Sequence, residues 1–408
     1  MPFIFTVPMR EAPDEFSHFW VIKFLHDHLR LPSAAEVTAG GASGVYGSLP
    51  QFGYVPHVLL TMPFPEDMQM LTARFGSLMM GLVMIWAAYH TGQMLFKKDN
   101  LLAYALPCTL IVHPQLAFLH CYSNSDSTSS ALSSVIILLM LQIIYQGVSL
   151  RHATIIGALS GWMALSKFST LAVIPVVALA VVASTIIHGS GWGLAVLSLM
   201  AMGAAGAAVS GWWLVRNYYE FNGDIMGTKT MYATWAKLFN RKQDFYLPPS
   251  HIVKNFSWWR MLFFSYWGLF GYMTRYMWRP VYVVYAVFFF PSIVGIIRTT
   301  FSGIKTCLAD GRRLLTAQSI AWICLLLIVL INIASIVWAS MVNLGGPQGR
   351  YLFTSEIPII SLIILGLNSI CRKYGHKFVI AFVFWNAMVC IGSFIYLFSL
   401  YGFNPRPY

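Results

Sequence analysis

Long apolar runs separated by short polar breaks dominate the chain. They fall at 69–96, 101–120, 128–147, 152–166, 168–187, 192–214, 278–298, 315–342, 351–370 and 378–401. Most approach or exceed the roughly 20 apolar residues that a helix needs to cross a hydrocarbon core. The run 152–166 is shorter and reads as a half-helix or a tilted one. A further apolar stretch, 259–275, reads as a segment dipping into the interface. The pattern predicts an all-α polytopic membrane protein of about 10–11 transmembrane helices, because backbone in lipid must satisfy its hydrogen bonds within helices or closed barrels. An amphipathic N-terminal segment precedes the first run.

Composition supports the same class. Of 408 residues, 58% are hydrophobic and 10% charged, against about 25% charged in a typical soluble domain. A soluble enzyme, a nucleic-acid-binding domain, a disordered tail and a disulfide scaffold are excluded. The formal charge of +12 is spread among apolar spans. Anionic head groups and lipid phosphates therefore suit it better than nucleic acid. Six cysteines include no CxxC, and Cys108, Cys324 and Cys390 fall inside spans. Nothing there demands a disulfide or a structural zinc. The opening MPFIFTVPMREAPD is too short and too broken by proline to read as a signal peptide. There is no internal repeat or low-complexity tract. Gly157 and Gly161, and then Gly203, Ala204, Gly206, Ala207 and Gly211, mark spans suited to close helix packing.

Charge gives an orientation. Counting spans alternately puts one set of breaks at Lys97-Lys98, Arg151, 298–313 and 371–377. Together these carry ten Lys or Arg and two acids, Asp99 and Asp310. By the positive-inside rule these short breaks face the cytoplasm. The N-terminal segment and the 121–127, 215–258 and 343–350 loops share the other face, where the remaining twelve acids gather or lie nearby.

Within APDEFSHFW, Asp14 and Glu15 follow a proline, as in the first turn of a helix. On such a helix Asp14 and His18 share a face, and Phe16, Phe19 and Trp20 suit an interface. One reading is a helix cap; the other is a general base at the membrane surface. In CYSNSDSTSSALSS, Asn124 and Asp126 open a span. They read either as cap and first-turn acid or as a second carboxylate of the same cavity.

Three cations are hard to explain as surface charge. Lys167 sits between apolar runs, where mid-membrane charge costs about 2.5–3.5 kcal/mol unless it snorkels or finds a partner. Arg216 and Asn217 end a span in GWWLVRNYYEF. Gln348, Arg350 and Tyr351 belong to NLGGPQGRYLF, a glycine-rich loop before a span. Its backbone N–H groups and guanidinium suit a phosphate. Lys229, Lys237, Arg241, Lys242, Lys254, Arg260, Arg275 and Arg279 lie between aromatics in 215–280. Trp258 and Trp259 there read as an interfacial belt, or as a surface for a lipid tail and its phosphate.

These stretches resemble the GT-C superfamily of membrane glycosyltransferases, which use polyprenyl-phosphate-linked sugars. The resemblance covers most of the chain. It rests on APDEFSHF at 12–19, QFGYVPHVLL at 51–60, SNSD at 123–126 and GALSGWMALSKFS at 157–169. It continues in GWWLVRNYYEFNGDIMG at 211–227, FFSYWGLFGY at 263–272 and PQGRYLF at 347–353. The last three look most like a bacterial branch related to protein O-mannosyltransferases and lipid A aminoarabinose transferases. The resemblance implies an essential carboxylate in the first extracytoplasmic loop, here Asp14 or Glu15 with Asp14 the first choice, and a second acid at Asp126. It also implies a bacterial inner-membrane location with the active site on the extracytoplasmic side. The sequence departs from the pattern in two places. The transmembrane helix expected before Arg10 is not in it, and no large soluble domain stands between the last span and Tyr408.

The expected organisation has four parts. Residues 1–68 form an extracytoplasmic acidic segment with interfacial helices, and 69–214 the helices of the catalytic module. Residues 215–277 form an outer loop and interfacial helix, and 278–408 the C-terminal helices. The expected chemistry is sugar transfer from a polyprenyl-phosphate donor to a glycan, lipid or protein acceptor of the envelope. Asp14 or Glu15 serves as base. His18, Asn124, Asp126, Lys167, Arg216, Asn217, Gln348, Arg350 and Tyr351 bind substrate. No cofactor is required. A divalent metal at His18, His26, His57 and the carboxylates is conceivable, but the spacing shows no strong ligand pattern. The rivals are an oligosaccharyltransferase-like enzyme, a transporter or flippase of lipid-linked sugars, and a non-catalytic envelope-assembly protein.

Overall fold

The computed structural model describes residues 2–97, 99–238, 240, 246–309, 316–342, 346–370 and 373–404. Lys98, Arg241, Lys242 and Asp310, together with 311–313 and 371–372 of the basic breaks, lie outside them. Helices carry most of the described chain. Eight of them are long and apolar enough to cross a membrane: Glu66–Leu95, Ser125–Gln146, Thr170–His188, Trp192–Glu220, Arg279–Ser302, Ala317–Met341, Gly349–Ile370 and Gly375–Tyr401. The protein is an all-α polytopic integral membrane protein.

One predicted span is shorter than expected, and another is as short as its apolar run. The run 101–120 splits into Asn100–Val112 and Pro114–Leu119. The break is at His113, whose ψ of 114° is extended. Pro114 disfavours the helical region for the residue before it. The run 152–166 is a 15-residue helix, Leu150–Ala164. The interfacial stretch becomes the helix Phe256–Trp267 and a two-residue antiparallel ladder, Leu269–Phe270 with Arg275–Tyr276. Trp258 is buried and its indole donates to Ser340 Oγ at 3.2 Å. It packs on the bundle rather than joining a belt.

Small residues bring two helices together where the pattern placed them. A Cβ on Gly157 would stand 2.2 Å from the Met202 carbonyl oxygen, and one on Gly161 would stand 2.7 Å from that of Gly206. Gly203 and Gly211 face open space instead. The outward faces carry large exposed apolar side chains such as Trp192, Met200, Val287, Phe290 and Ile391. Such faces fit a hydrocarbon surround.

Contacts between chain breaks sort the bundle into two ends. At one end Gln318 reaches the Leu95 carbonyl, Tyr145 reaches Gln318, and His376 pairs with Asp99 at 2.6 Å. This end carries the described basic breaks. At the other, Phe52 N–H donates to the Leu165 carbonyl, Leu247 N–H to that of Met341, and Tyr401 to Glu11. Residues 2–65 cover this acidic end as a string of short helices, the longest being Glu15–His28. Phe3 anchors the string among Phe118, Phe270 and Phe394.

Candidate active site

The acidic end places four charged side chains from distant parts of the chain against one another. Asp14 immediately precedes the helix Glu15–His28, in a left-handed conformation with φ 60° and ψ 9°. Aspartate is among the few residue types that tolerate this region. The sequence pattern had placed Asp14 inside the first turn. The structure starts the helix one residue later, and the Asp14 side chain makes no capping hydrogen bond. Its carboxylate turns elsewhere. The Tyr272 hydroxyl donates to Oδ1 at 2.6 Å, and Arg350 Nη2 donates to Oδ2 at 3.0 Å.

Each of these donors is set by a glycine. Gly271, at φ +61°, opens the turn that carries Tyr272; a Cβ there would meet Arg275 Cγ at 2.9 Å and Glu11 Oε2 at 3.1 Å. Gly349 presses on the helix Phe256–Trp267, where a Cβ would lie 2.0 Å from the Tyr266 nitrogen. The Gly349 N–H donates to Ser265 Oγ at 2.8 Å. Gln348 N–H donates to the Gly346 carbonyl, and Tyr351 N–H to that of Gln348. Three of the backbone N–H groups expected to cradle a phosphate, those of Gln348, Gly349 and Tyr351, are thus engaged internally. The Arg350 guanidinium is the charged group that the described part of this loop offers an anion.

Arg350 is only partly satisfied. Its side chain is 10% exposed, and Nε and Nη1 are buried without a hydrogen-bond partner. Nε stands 3.9 Å from Asp126 Oδ2. The Tyr122 hydroxyl stands close enough to interact with the guanidinium as a hydrogen-bonding neighbour. Gln348 Oε1 is likewise buried and unpartnered. Unmade buried hydrogen bonds are costly, and each calls for an explanation.

Asp126 lies in the first turn of Ser125–Gln146 and forms an ion pair with Lys167. Lys167 stands between Leu150–Ala164 and the 3-10 turn Phe168–Val173. Its ammonium lies 4.5 Å from the Tyr351 ring centroid, and the Arg350 guanidinium 5.5 Å from the same centroid. Lys167 therefore has an ionic partner and an aromatic face rather than a snorkelling path. Asp14, Arg350, Asp126 and Lys167 together form an alternating chain with two charges of each sign.

His18 lies beside this chain. It is buried, and its Nδ1 is 2.6 Å from the Tyr54 hydroxyl, with the Tyr46 ring 4.9 Å away. Burial pushes its pKa down to about 4, against the pull of Asp14. The ring is neutral at physiological pH. For Asp14, burial acts upward, but Arg350 and then the Tyr272 hydrogen bond outweigh it and hold the carboxyl at about 2.

Glu15, its neighbour, has a different fate. Arg74 Nε and Nη2 grip both carboxylate oxygens at 2.8 and 2.6 Å, and the Ser123 N–H adds a third bond at 2.8 Å. Arg74 completes its set on the Ile4 and Val7 carbonyls. Both side chains are 0% exposed. A second buried carboxylate lies in the bundle, where Glu356 accepts from the Tyr266 hydroxyl at 2.7 Å and sits 2.8 Å from His113 Nδ1, the other ring nitrogen of His113 being unpartnered.

Three named residues serve elsewhere. Asn124 caps Ser125–Gln146 through Ser127 N–H and donates to the Leu119 and Tyr122 carbonyls. Arg216 reaches the Pro32 carbonyl and Asn217, and Asn217 donates to the Ser48 carbonyl at 3.3 Å. These contacts pin the end of Trp192–Glu220 to the N-terminal string, with no described bond to the carboxylate chain. The metal reading fares no better. His26 pairs with Asp27 and His57 with Ser77 Oγ. Among the described residues no three of His, Cys, Asp and Glu converge on a metal position.

Arg74, Tyr272 and Glu356 were not singled out from the sequence. Arg74 carried a signal, a lone charge in the apolar run TARFGSLMMG. Tyr272 had none, because a turn aromatic announces nothing about a carboxylate far away in the chain.

Compared with known proteins, the chain matches no protein-family model and no curated protein sequence. The chemical reading therefore rests on the site. A carboxylate held by a tyrosine and an arginine, with one further cation, Lys167, nearby, can accept a proton while an anionic group departs.

Proposed function

We propose that the protein is a membrane glycosyltransferase of the GT-C kind. It moves a sugar from a polyprenyl-phosphate donor to an acceptor hydroxyl of the cell envelope, on the extracytoplasmic face of a bacterial inner membrane. The observation that carries the reading is the state of Asp14. Its side chain makes no capping hydrogen bond to the helix it precedes, and it faces an arginine with two donors that make no hydrogen bond, one of them 3.9 Å from Asp126. Support for the orientation comes from the basic breaks at the opposite end of the bundle.

Asp14 takes the proton of the acceptor hydroxyl. The acceptor oxygen bonds to the anomeric carbon from the side opposite the phosphate, inverting it. The bond from that carbon to the phosphate oxygen breaks, and the electron pair leaves on the lipid phosphate. Arg350 and Lys167 stabilise that charge. Asp126 keeps Lys167 in place, and neutral His18 with Tyr54 walls the site. Glu15 organises the segment through Arg74 and stays out of the chemistry. No metal enters this scheme.

The test is turnover by purified protein in nanodiscs, supplied with its native membrane lipids and labelled polyprenyl-phosphate sugars. The reading expects sugar-dependent release of polyprenyl phosphate, lost in a folded Asp14→Asn variant. Binding without turnover, or turnover indifferent to Asp14, would replace it with a carrier of lipid-linked sugars.

A further inference from the structure

We infer that Asp14 and the donor phosphate compete for the same guanidinium, so that the protein strengthens its base only when the donor is in place. The inference rests on the glycosyltransferase reading and adds an order of events to it. The geometry is that of an anion site closed by the protein's own carboxylate. Arg350 gives Nη2 to Asp14 at 3.0 Å, while Nε and Nη1 are buried and unbonded. A phosphate oxygen that takes up the unused donors draws the fork away from Asp14.

The charged and titratable groups around the pair define the exchange. Asp14 faces Arg350, Tyr272 and His18. Arg350 faces Asp14, Asp126, Tyr351 and Tyr122. His18 is neutral, so Arg350 is the only cation bonded to Asp14 among the described residues. Tyr272 keeps its bond to Oδ1 when Arg350 leaves, and the carboxylate stays in position while losing its counter-charge. A carboxylate paired with a guanidinium is a poor proton acceptor; one left with a single phenol donor in a buried site is a better one.

Charge closes over the reaction. The empty site holds two carboxylates and two cations, net zero. A sugar phosphodiester brings one negative charge. After transfer the proton sits on Asp14, and the leaving phosphate carries two negative charges opposite Arg350 and Lys167, with Asp126 still ionised. The total is unchanged at minus one, and neutral Asp14 no longer draws Arg350 back from the product. Acceptor bound without donor meets a base still locked in its ion pair, which makes donor binding the first productive step.

The experiment measures binding of polyprenyl monophosphate, in nanodiscs of uncharged lipid, to the wild type, Asp14→Asn, Arg350→Gln and the double variant. Removing the competing carboxylate charge should tighten Asp14→Asn by several-fold or more, although that variant has lost turnover. Arg350→Gln should weaken binding, and in its background Asp14→Asn should bring no gain. Equal or weaker binding by folded Asp14→Asn, or a gain that persists without Arg350, would overturn the competition. A measurement on the wild type covers the case in which the variant does not fold. Adding polyprenyl monophosphate should shift a carboxylate band in infrared difference spectra, and unchanged carboxylate bands would overturn the inference. The two proposals fail differently. Tightening without any wild-type turnover leaves the competition and removes the transferase. Wild-type turnover without tightening does the reverse.

Discussion

Asp14 and Glu15 are adjacent in sequence, each faces an arginine, and their surroundings are opposite. Glu15 and Arg74 are sealed, with both carboxylate oxygens and all of the arginine's described bonds directed at fixed protein groups. Asp14 and Arg350 are 15% and 10% exposed, joined by one bond, with spare donors on the arginine. Charge and residue type do not tell the two pairs apart. Completeness of bonding does, and under the proposed function it separates the structural pair from the reactive one. The Glu356 group lies between the two: both carboxylate oxygens are bonded, holding the helix that starts at Glu356 against His113 and the Phe256–Trp267 helix, while His113 Nε2 is buried without a partner.

Substitutions break this comparison at its two halves. Glu15→Gln or Arg74→Ala leaves a buried charge without its partner, at a cost of about 3–5 kcal/mol. Loss of folded protein, followed by thermal unfolding in detergent, is the expected readout. Asp14→Asn keeps the fold within a few degrees of melting temperature and loses about 10²–10⁴ of turnover. Should Glu15→Gln fold normally while Asp14→Asn unfolds, the assignment of roles is inverted. Gly349→Ala comes next. Its methyl group meets the Tyr266 backbone, and overpacking of this kind costs about 1–3 kcal/mol. Arg350 moves with the displaced loop, so polyprenyl phosphate binding should fall along with stability.

How much of this was readable in the chain differs between the two halves. The apolar runs and basic breaks are local features, and they gave the bundle and its two ends. Asp14, Asp126, Lys167 and Arg350 each stood out because a charge beside a span needs a reason. What the sequence could not show was which charges meet. Asp14 and Arg350 are 336 residues apart, and Glu15 and Arg74 are 59 apart. Nothing local distinguished Arg350 from Arg216, whose fork is held by the Pro32 carbonyl and Asn217. The left-handed Asp14 was also invisible, because proline followed by acids favours a helix start at either residue.

Smaller effects sharpen the picture. His18 and His57 are buried, and burial pushes their pKa values down to about 4 and 3. Unfolding lets each one protonate near 6.5. The stability that comes from keeping them neutral is full above that value and falls as pH drops from about 6.5 to about 4 for His18 and to about 3 for His57. Melting temperature should decline through that window, and His57→Gln should flatten the decline. Asp14 acts lower: its contribution is full above 3.8 and is lost toward about 2. A flat melting temperature between pH 7 and 4.5 would contradict the burial of these rings. Smallest of all is Tyr272→Phe. It removes one exposed-side hydrogen bond worth about 1 kcal/mol. Turnover should drop several-fold while unfolding stays within a degree or two.

The most direct test of the open-versus-sealed distinction is the rate of sugar-dependent polyprenyl phosphate release by Asp14→Asn, measured beside the wild type at equal amounts of folded protein. A wild type that turns over, beside a folded variant that does not, is the predicted result. A folded Asp14→Asn that releases polyprenyl phosphate at the wild-type rate would contradict it.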